Sequence, residues 1–123
     1  MISFEGFSME AGSPIYQQIL RYLKRGIAAG SIRDGDELPS RRVLSALLGV
    51  NPNTVQKAYR MLEEEGLIQS HSGAKSCMVV DPETAERVRA ELLEAEVRNA
   101  IAAMRQMGLS RDEALALMGR YWE

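Results

Sequence analysis

The close spacing of two helix signals near residues 40–52 limits the folds open to this chain more than any other feature. Ser40 is a typical N-cap residue, and apolar residues recur at helical spacing from there to Gly49. A second start signal follows almost at once, since Asn51 suits an N-cap and Pro52 suits the first helical turn. Gly49 then has to turn the chain within a few residues, which predicts a helix-turn-helix.

Helix and strand patterns on both sides complete the predicted architecture. Residues 1–12 predict an irregular arm, and a first amphipathic helix is predicted from an N-cap at Ser13 to Gly30. After the third helix ends at Gly66, two strand-like pieces predict a β-hairpin. Three helices and a hairpin predict a mostly α, α+β fold, a winged helix-turn-helix over residues 1–80. The apolar residues of the second helix are Val43, Leu44, Leu47 and Leu48.

A helical tail is predicted for residues 81–123. Asp81 and Pro82 start a long helix, and Ser110 with Glu113 forms a capping box that opens a last one. Two helices of this size cannot bury enough apolar surface to fold alone, so the tail packs back on the winged helix or pairs with a second copy. The predicted dimer-interface residues are Leu92, Val97, Ile101, Met104, Leu115, Met118, Tyr121 and Trp122.

The charges of the chain are unevenly distributed. There are 15 basic and 17 acidic residues, and this net charge of −2 by itself argues against nucleic acid. Between Glu37 and Glu63, however, the sequence has no acidic residue. A solvated helix face would explain the basic residues there, but their coincidence with a helix-turn-helix favours a DNA-binding surface. The basic residues of this stretch are Arg41, Arg42, Lys57 and Arg60.

The third predicted helix has the polar residues of a recognition helix. Its apolar residues Val55, Tyr59 and Leu62 predict an inner face. Asn and Gln side chains can pair bidentately with adenine, whereas Arg and Lys reach guanine or phosphate. We therefore expect the N-terminal turn of this helix to enter the major groove of double-stranded DNA. The residues outside the inner face are Asn53, Thr54, Gln56, Lys57 and Arg60.

Composition and spacing disfavour other classes of function. Cys77 is the one cysteine and His71 the one histidine, so neither an internal disulfide nor a metal site is expected. No spacing marks a nucleophile, so we expect neither enzymatic activity nor a cofactor. The sequence shows no signal peptide and no apolar run long enough to span a membrane, which predicts a cytoplasmic protein without membrane partners.

Several stretches of the sequence resemble the GntR family of bacterial transcription regulators. Residues 14–19 (Pro-Ile-Tyr-Gln-Gln-Ile) resemble the opening helix of that family, and residues 35–42 (Gly-Asp-Glu-Leu-Pro-Ser-Arg-Arg) resemble its G-D-x-L-P-S-x-R segment. Residues 49–59 resemble its helix-turn-helix, and residues 62–68 are similar to the L-E-x-x-G-L-I motif that precedes the wing. The sequence of residues 51–59 and the short tail resemble those of the YtrA-like subfamily in particular.

The resemblance implies roles for individual residues. Arg42 matches an arginine that contacts DNA at the start of the second helix, and Pro52 stands where other branches often have an arginine. In the wing, Lys75 replaces the second glycine of the family motif, and we expect it to contact phosphate. The predicted DNA-binding residues are Ser40, Arg41, Arg42, Asn51, Asn53, Thr54, Gln56, Lys57, Arg60, Gly73 and Lys75.

The resemblance also implies the assembly and the biological role. It implies dimerisation through the tail, a pseudo-palindromic operator, and repression of a transporter operon or of the protein's own operon. The expected partners are double-stranded DNA and a second copy of the chain, and a small-molecule effector is left open. Two alternatives stay open at this point. A winged-helix protein–protein interaction module would not need the polar third helix, and a non-specific architectural DNA binder would be strongly basic.

Overall fold

The computed structural model describes residues 1–71 and 75–123, and its elements follow the predicted order. The described chain is mostly helical with one small antiparallel sheet, which confirms the predicted α+β winged helix-turn-helix followed by C-terminal helices. The helices are α1 (Ile15–Ala29), α2 (Arg41–Leu48), α3 (Pro52–Glu64), α4 (Pro82–Gln106) and α5 (Arg111–Tyr121). The strands are β1 (Glu37–Leu38), β2 (Ile68–His71) and β3 (Lys75–Met78).

The chain forms two compact units. Unit 1 is Met1–Arg89, which contains α1 to α3, the sheet and the first turns of α4, and unit 2 is Ala90–Glu123. Val88 in α4 is 4% exposed and belongs to the core of unit 1. The assignment of residues 81–123 to a separate tail domain stays a prediction.

The hydrophobic core lies within unit 1, where α1 and α2 both contact α3. The buried residues of α1 and α3 recur at three- and four-residue spacing, so each helix turns one apolar stripe inward. Tyr59, predicted to be a core residue, is completely buried. The buried hydrophobic residues are Phe4, Ile19, Leu20, Leu23, Ile27, Ile32, Leu38, Leu44, Val55, Ala58, Tyr59, Leu62, Leu67, Ile68, Met78, Val80 and Val88.

The sheet has one strand more than the predicted hairpin. β3 lies between β1 and β2, and both neighbours are antiparallel to it. Cys77 in the middle strand is opposite Glu37 of β1 and Gln69 of β2. The added strand connects the segment before α2 to the hairpin, so the start of α2 and the wing belong to the same framework.

The N-terminal arm, predicted to be irregular, is anchored to unit 1. The backbone N–H of Ile2 donates to the carbonyl of Glu37, in the edge strand β1, at 2.8 Å. The rings of Phe4 and Tyr22 stack with their centroids 5.0 Å apart, and the Tyr22 hydroxyl donates to the carbonyl of Ser3 at 2.7 Å. The arm therefore adds apolar surface to the core and covers part of a sheet edge.

One local prediction is wrong. Pro14, not Ser13, is the N-cap residue of α1, and no side chain caps that helix. In α2 the apolar residues do not share one buried face: Val43 and Leu47 are 52% and 64% exposed. The reason is that α2 turns the neighbouring stripe inward, which holds Leu44 and the buried Ser45. The Ser45 hydroxyl donates to the carbonyl of Val50 at 2.6 Å, so a polar residue takes an inward position there.

Unit 2 consists of the rest of α4 and of α5. The predicted capping box is confirmed, because the Ser110 hydroxyl accepts from the Glu113 N–H at 3.2 Å and the Glu113 carboxylate accepts from the Ser110 N–H at 3.3 Å. No residue of unit 2, all of which the structure describes, is buried. Among the described helices of both units, none is long and apolar enough to cross a membrane.

Candidate nucleic-acid interface

The connection between α2 and α3 has the geometry of a helix-turn-helix. The Ser40 hydroxyl accepts from the N–H of Val43 at 3.2 Å and caps α2. Gly49 ends that helix in the left-handed region with φ 68°, a conformation that favours glycine. Asn51 then caps α3 by accepting from the N–H of Asn53 at 2.8 Å. These caps fix the entry of α3 within two residues of the glycine.

Helix α3 presents a polar face to solvent. Its inward stripe is buried, whereas Asn53, Gln56, Lys57 and Arg60 are exposed and Thr54 is partly buried. The structure therefore brings together on one helix face four of the side chains that the sequence predicts to contact DNA. Amide and guanidinium groups placed in this way can reach base edges once the helix lies in a major groove.

Two cationic side chains, one on this polar face and one beside it, lie over aromatic rings. The Lys57 ammonium is 4.0 Å from the ring centroid of Tyr16 in α1. The guanidinium carbon of Arg41, at the start of α2, is 5.3 Å from the ring centroid of Tyr59. Both distances are in the range of cation–π attraction, which restrains a flexible side chain without neutralising its charge.

Tyr59 joins α3 to the start of α2. Its hydroxyl donates to the carbonyl of Pro39 at 2.7 Å, in a fully buried position. Burial raises the pKa of Tyr59 well above its usual range, and the opposing effect of the nearby Arg41 charge is smaller. The phenol therefore stays neutral and keeps donating, so Pro39 and the ring beneath Arg41 are held in one arrangement.

A cleft lies between α3 and β2, and we call it the α3–β2 cleft. It has a volume of about 640 Å³. Within the cleft, the hydroxyl of Ser70 donates to the carboxylate of Glu63 at 3.0 Å, which connects β2 to α3. Sequence reasoning missed the cleft, because its members come from segments that are distant in sequence. The lining residues are Arg41, Gln56, Arg60, Glu63, Glu64, Ser70 and His71.

The remaining predicted DNA-binding residues surround this face. Arg42 is exposed in the first turn of α2, and Lys75 is exposed at the start of β3. The side-chain oxygens of Ser40 and Asn51 both accept capping hydrogen bonds, as their sequence positions predict. Gly73 lies outside the described residues.

The described residues contain no alternative site for metal chemistry. In the ranges 1–71 and 75–123, no group of His, Cys, Asp and Glu side chains is placed to hold a metal ion. Cys77 is a free, partly buried thiol in the middle strand of the sheet. The polar face of α3 is thus the feature of unit 1 that most needs a functional explanation.

A helix-turn-helix with a polar, exposed second helix, followed by a β-hairpin, defines the winged-helix class of DNA-binding proteins. The chain belongs to the GntR family of bacterial regulatory proteins, whose family model matches residues 15–76. That match extends from the first residue of α1 to the second residue of β3. The chain accordingly has the family and the fold of DNA-binding transcription regulators, not those of an enzyme.

Known proteins similar to this chain are regulators as well. The transcriptional repressor YtrA of Bacillus subtilis is 44% identical over 63 residues, which cover 51% of this chain and 48% of that repressor. A GntR family regulator from Listeria monocytogenes superposes with a TM-score of 0.81 at 30% identity, covering 91% of this chain and 98% of the other. The AraR DNA-binding domain, solved in complex with operator ORX1, superposes with a TM-score of 0.51 at 27% identity, covering 63% and 93%.

Proposed function

We propose that the protein is a homodimeric transcription repressor that binds a pseudo-palindromic operator through two copies of α3. The observation that supports this proposal is that one chain has both an acid-free polar face in unit 1 and an exposed apolar surface in unit 2. The first needs DNA as a partner, and the second needs a protein surface. A two-fold dimer satisfies both requirements and presents two recognition helices to two half-sites.

On the DNA side, we assign base reading and backbone contact by side-chain chemistry. Asn53 and Gln56 read bases, because an amide both donates and accepts and so can match a base edge. Arg42, Lys57 and Lys75 carry charges that attract phosphate. Ser40 and Asn51 would contact the DNA through their main-chain atoms, since the side-chain oxygens of both residues already cap helices.

On the protein side, we assign the dimer interface to unit 2. A groove of about 560 Å³ within this unit is lined by apolar side chains of α4 and α5, including Ile101, Met104 and Leu115. Tyr121 and Trp122 are 73% and 86% exposed, and large aromatic side chains of this kind dominate interface energetics when they are buried. A second copy offers the same apolar surface, as a self-complementary two-fold interface requires. The proposed interface residues are Leu92, Val97, Ile101, Met104, Leu115, Met118, Tyr121 and Trp122.

Repression follows if the operator overlaps a promoter, because a bound dimer then blocks the polymerase. The similarity to a protein named as a repressor supports this direction of regulation. We propose a transporter operon or the protein's own operon as the target, and the cytoplasm as the compartment where it acts. A winged-helix interaction module is the weaker candidate, since protein contact does not require the polar residues of α3.

Selection of binding sites from random duplex DNA tests the operator proposal. A two-fold symmetric consensus is expected, and an asymmetric consensus or none would contradict the dimeric reading. On the selected site, Arg42→Ala should weaken binding by about 1–3 kcal/mol. Arg33→Ala is the matched control, because Arg33 is exposed in the segment between α1 and β1, outside the helix-turn-helix, and its removal changes the charge of unit 1 equally.

Two further variants separate base reading from backbone contact. Gln56→Ala should relax specificity at one position of each half-site. Lys57→Ala should lower affinity for all sequences and reduce the slope of log affinity against log salt by about one. An unchanged salt slope for Lys57→Ala would place this lysine away from phosphate. A ratio of specific to non-specific affinity near one at fixed salt would identify an architectural DNA binder instead.

Trp122 is the one tryptophan of the chain and therefore reports on the interface directly. Its fluorescence should shift to shorter wavelength as protein concentration rises, in step with dimer formation measured by sedimentation. In the parent dimer, Trp122 should also be protected from a neutral quencher. Dimers in which Trp122 stays fully accessible would show that the two copies meet at another surface.

A further inference from the structure

Arg41 has an unusual environment for an arginine at the protein surface. Its Nε atom is buried and has no hydrogen-bond partner among the described residues. The guanidinium lies over the ring of Tyr59, and that ring is itself fixed by the hydrogen bond to Pro39. Arg41 also forms no ion pair within the described part of the chain. Its side chain is therefore restrained by packing while the hydrogen-bonding capacity of the guanidinium remains unused.

The α3–β2 cleft places this guanidinium beside other groups that bind anions. Arg60 and Gln56 line the same cleft from the outer face of α3, and His71 lines it from β2. When α3 lies in a major groove, the first helix of the pair, α2, crosses the sugar–phosphate backbone, and Arg41 is the first residue of α2. In this placement the Arg41 guanidinium meets a phosphate, whereas Gln56 at the border of the cleft remains available to read a base.

We propose that the α3–β2 cleft binds a backbone phosphate of the operator and that Arg41, supported by the ring of Tyr59, is the residue that holds it. The proposal rests on the proposed placement of α3 in the major groove. A planar guanidinium that is already restrained loses little conformational entropy when it forms hydrogen bonds to phosphate oxygens. Arg41 would therefore fix the register of the recognition helix along the DNA, while Asn53 and Gln56 read the bases.

The two acidic residues in the cleft limit where the phosphate lies. Glu63 and Glu64 are about two turns beyond Gln56 along α3, toward the C-terminal end of that helix. Arg41 lies over Tyr59, which precedes both glutamates along the helix. The phosphate accordingly lies beside Arg41, and Glu63, which accepts from Ser70, repels it weakly.

Operator binding by the full-length protein, measured over a range of salt concentrations, tests this site with three variants. Arg41→Ala should bind about 10- to 100-fold more weakly, as expected for a lost charge-assisted hydrogen bond, and its salt slope should fall by about one. Arg41→Lys keeps the charge but not the planar fork, so its slope should stay at the parent value while its affinity falls. Glu63→Gln should strengthen binding about two- to five-fold, because it removes a like charge and keeps the acceptor for Ser70. Arg33→Ala is again the control.

Ethylation of single phosphates identifies the contact itself. In each half-site we expect one phosphate whose ethylation blocks DNA binding by the parent protein. Ethylation of that same phosphate should not weaken DNA binding by Arg41→Ala any further. An unchanged interference pattern and salt slope for Arg41→Ala, with Arg42→Ala still impaired, would overturn the assignment of Arg41 and leave the proposed function intact. Loss of sequence-specific binding by the parent protein would instead overturn the proposed function. Competition by inorganic phosphate at constant ionic strength that depends on Arg41, without any change in the DNA salt slope, would assign the cleft to a free anion and also overturn the proposal.

Discussion

The two compact units of the chain place their apolar residues in opposite ways. Every residue of the hydrophobic core lies between Phe4 and Val88, in unit 1. Unit 2 is fully described and has no buried residue, and its apolar side chains remain at the surface. The exposed large hydrophobic residues of unit 2 are Leu93, Val97, Ile101, Met107, Leu115, Leu117, Met118, Tyr121 and Trp122.

This difference separates two sources of stability. Unit 1 is held by long-range packing of helices against a sheet, which one copy of the chain supplies by itself. In unit 2 the helices are supported by local interactions such as the capping box at Ser110 and the ion pair between Glu94 and Arg98, whose atoms are 2.8 Å apart. Local interactions of this size are too weak to stabilise two helices whose apolar side chains remain exposed, so we expect the stability of unit 2 to depend on a second copy of the chain.

Removing unit 2 should have the largest effect on function. A truncated form ending at Arg89 keeps the whole core, so it should fold, remain monomeric and bind a palindromic operator more than about 100-fold more weakly, since the second half-site is no longer linked to the first. Sedimentation and operator titration measure both effects. A stable dimer of this form would move the interface into unit 1.

A shorter form ending at Val80 sharpens the same comparison. It also lacks Val88, whose side chain is buried in the core of unit 1. Its free energy of unfolding should therefore be lower than that of the form ending at Arg89 by about 1.5–3 kcal/mol, as measured by urea titration. Equal free energies of unfolding for the two forms would show that residues 81–89 do not contribute to the stability of unit 1.

One substitution made in each unit tests the contrast with the same chemistry. Leu44→Ala removes a completely buried side chain and should lower the free energy of unfolding by about 2–5 kcal/mol. Leu115→Ala removes a side chain that is 52% exposed, so it should scarcely change the unfolding of a dilute monomer but should raise the dimer dissociation constant. Urea titration at low concentration and sedimentation distinguish the two. An equally large loss of monomer stability for Leu115→Ala would contradict the distinction.

The parts of the structure that could be predicted from sequence are those that depend on neighbouring residues. The caps at Ser40 and Ser110 and the left-handed turn at Gly49 each need only a few consecutive residues, and all three were predicted correctly. The polar face of α3 was also predictable, because helical periodicity alone separates inner from outer positions.

The parts that could not be predicted depend on contacts between distant segments. Pairing of β1 with β3 joins Glu37 to Cys77, and no local pattern signals that register. The ring beneath Arg41 belongs to Tyr59, which periodicity assigns to the core without indicating what lies over it. The exposure of Val43 likewise follows from which stripe of α2 meets α3, and an apolar pattern with two adjacent stripes leaves that choice open.

A pair of helical glycines offers a smaller test of the same contrast. A Cβ atom added to Gly26 in α1 would collide with the side chain of Ile32, whereas one added to Gly119 in α5 would meet nothing within 4 Å. Gly26→Ala should therefore destabilise unit 1 by about 1–3 kcal/mol through overpacking, despite the better helix propensity of alanine. Gly119→Ala should raise helix stability by up to about 1 kcal/mol. Thermal unfolding of both variants checks the signs, and stabilisation by both would show that Ile32 moves aside easily.

The smallest expected effect concerns the charged cap at the start of α4. The carboxylate of Asp81 accepts from the N–H of Thr84 at 2.7 Å, and this hydrogen bond is the main reason why the pKa of Asp81 is lowered. A lowered pKa in the folded state gives stability that is present above the unfolded-state pKa and is lost as the pH falls through the folded-state value. Asp81→Asn keeps a capping acceptor but cannot titrate, so the parent should exceed the variant in melting temperature near neutral pH, and this excess should shrink as the pH falls below the ordinary Asp pKa of about 4. A difference in melting temperature that stays constant over this range would show that the charge of Asp81 does not contribute to the stability of the folded chain.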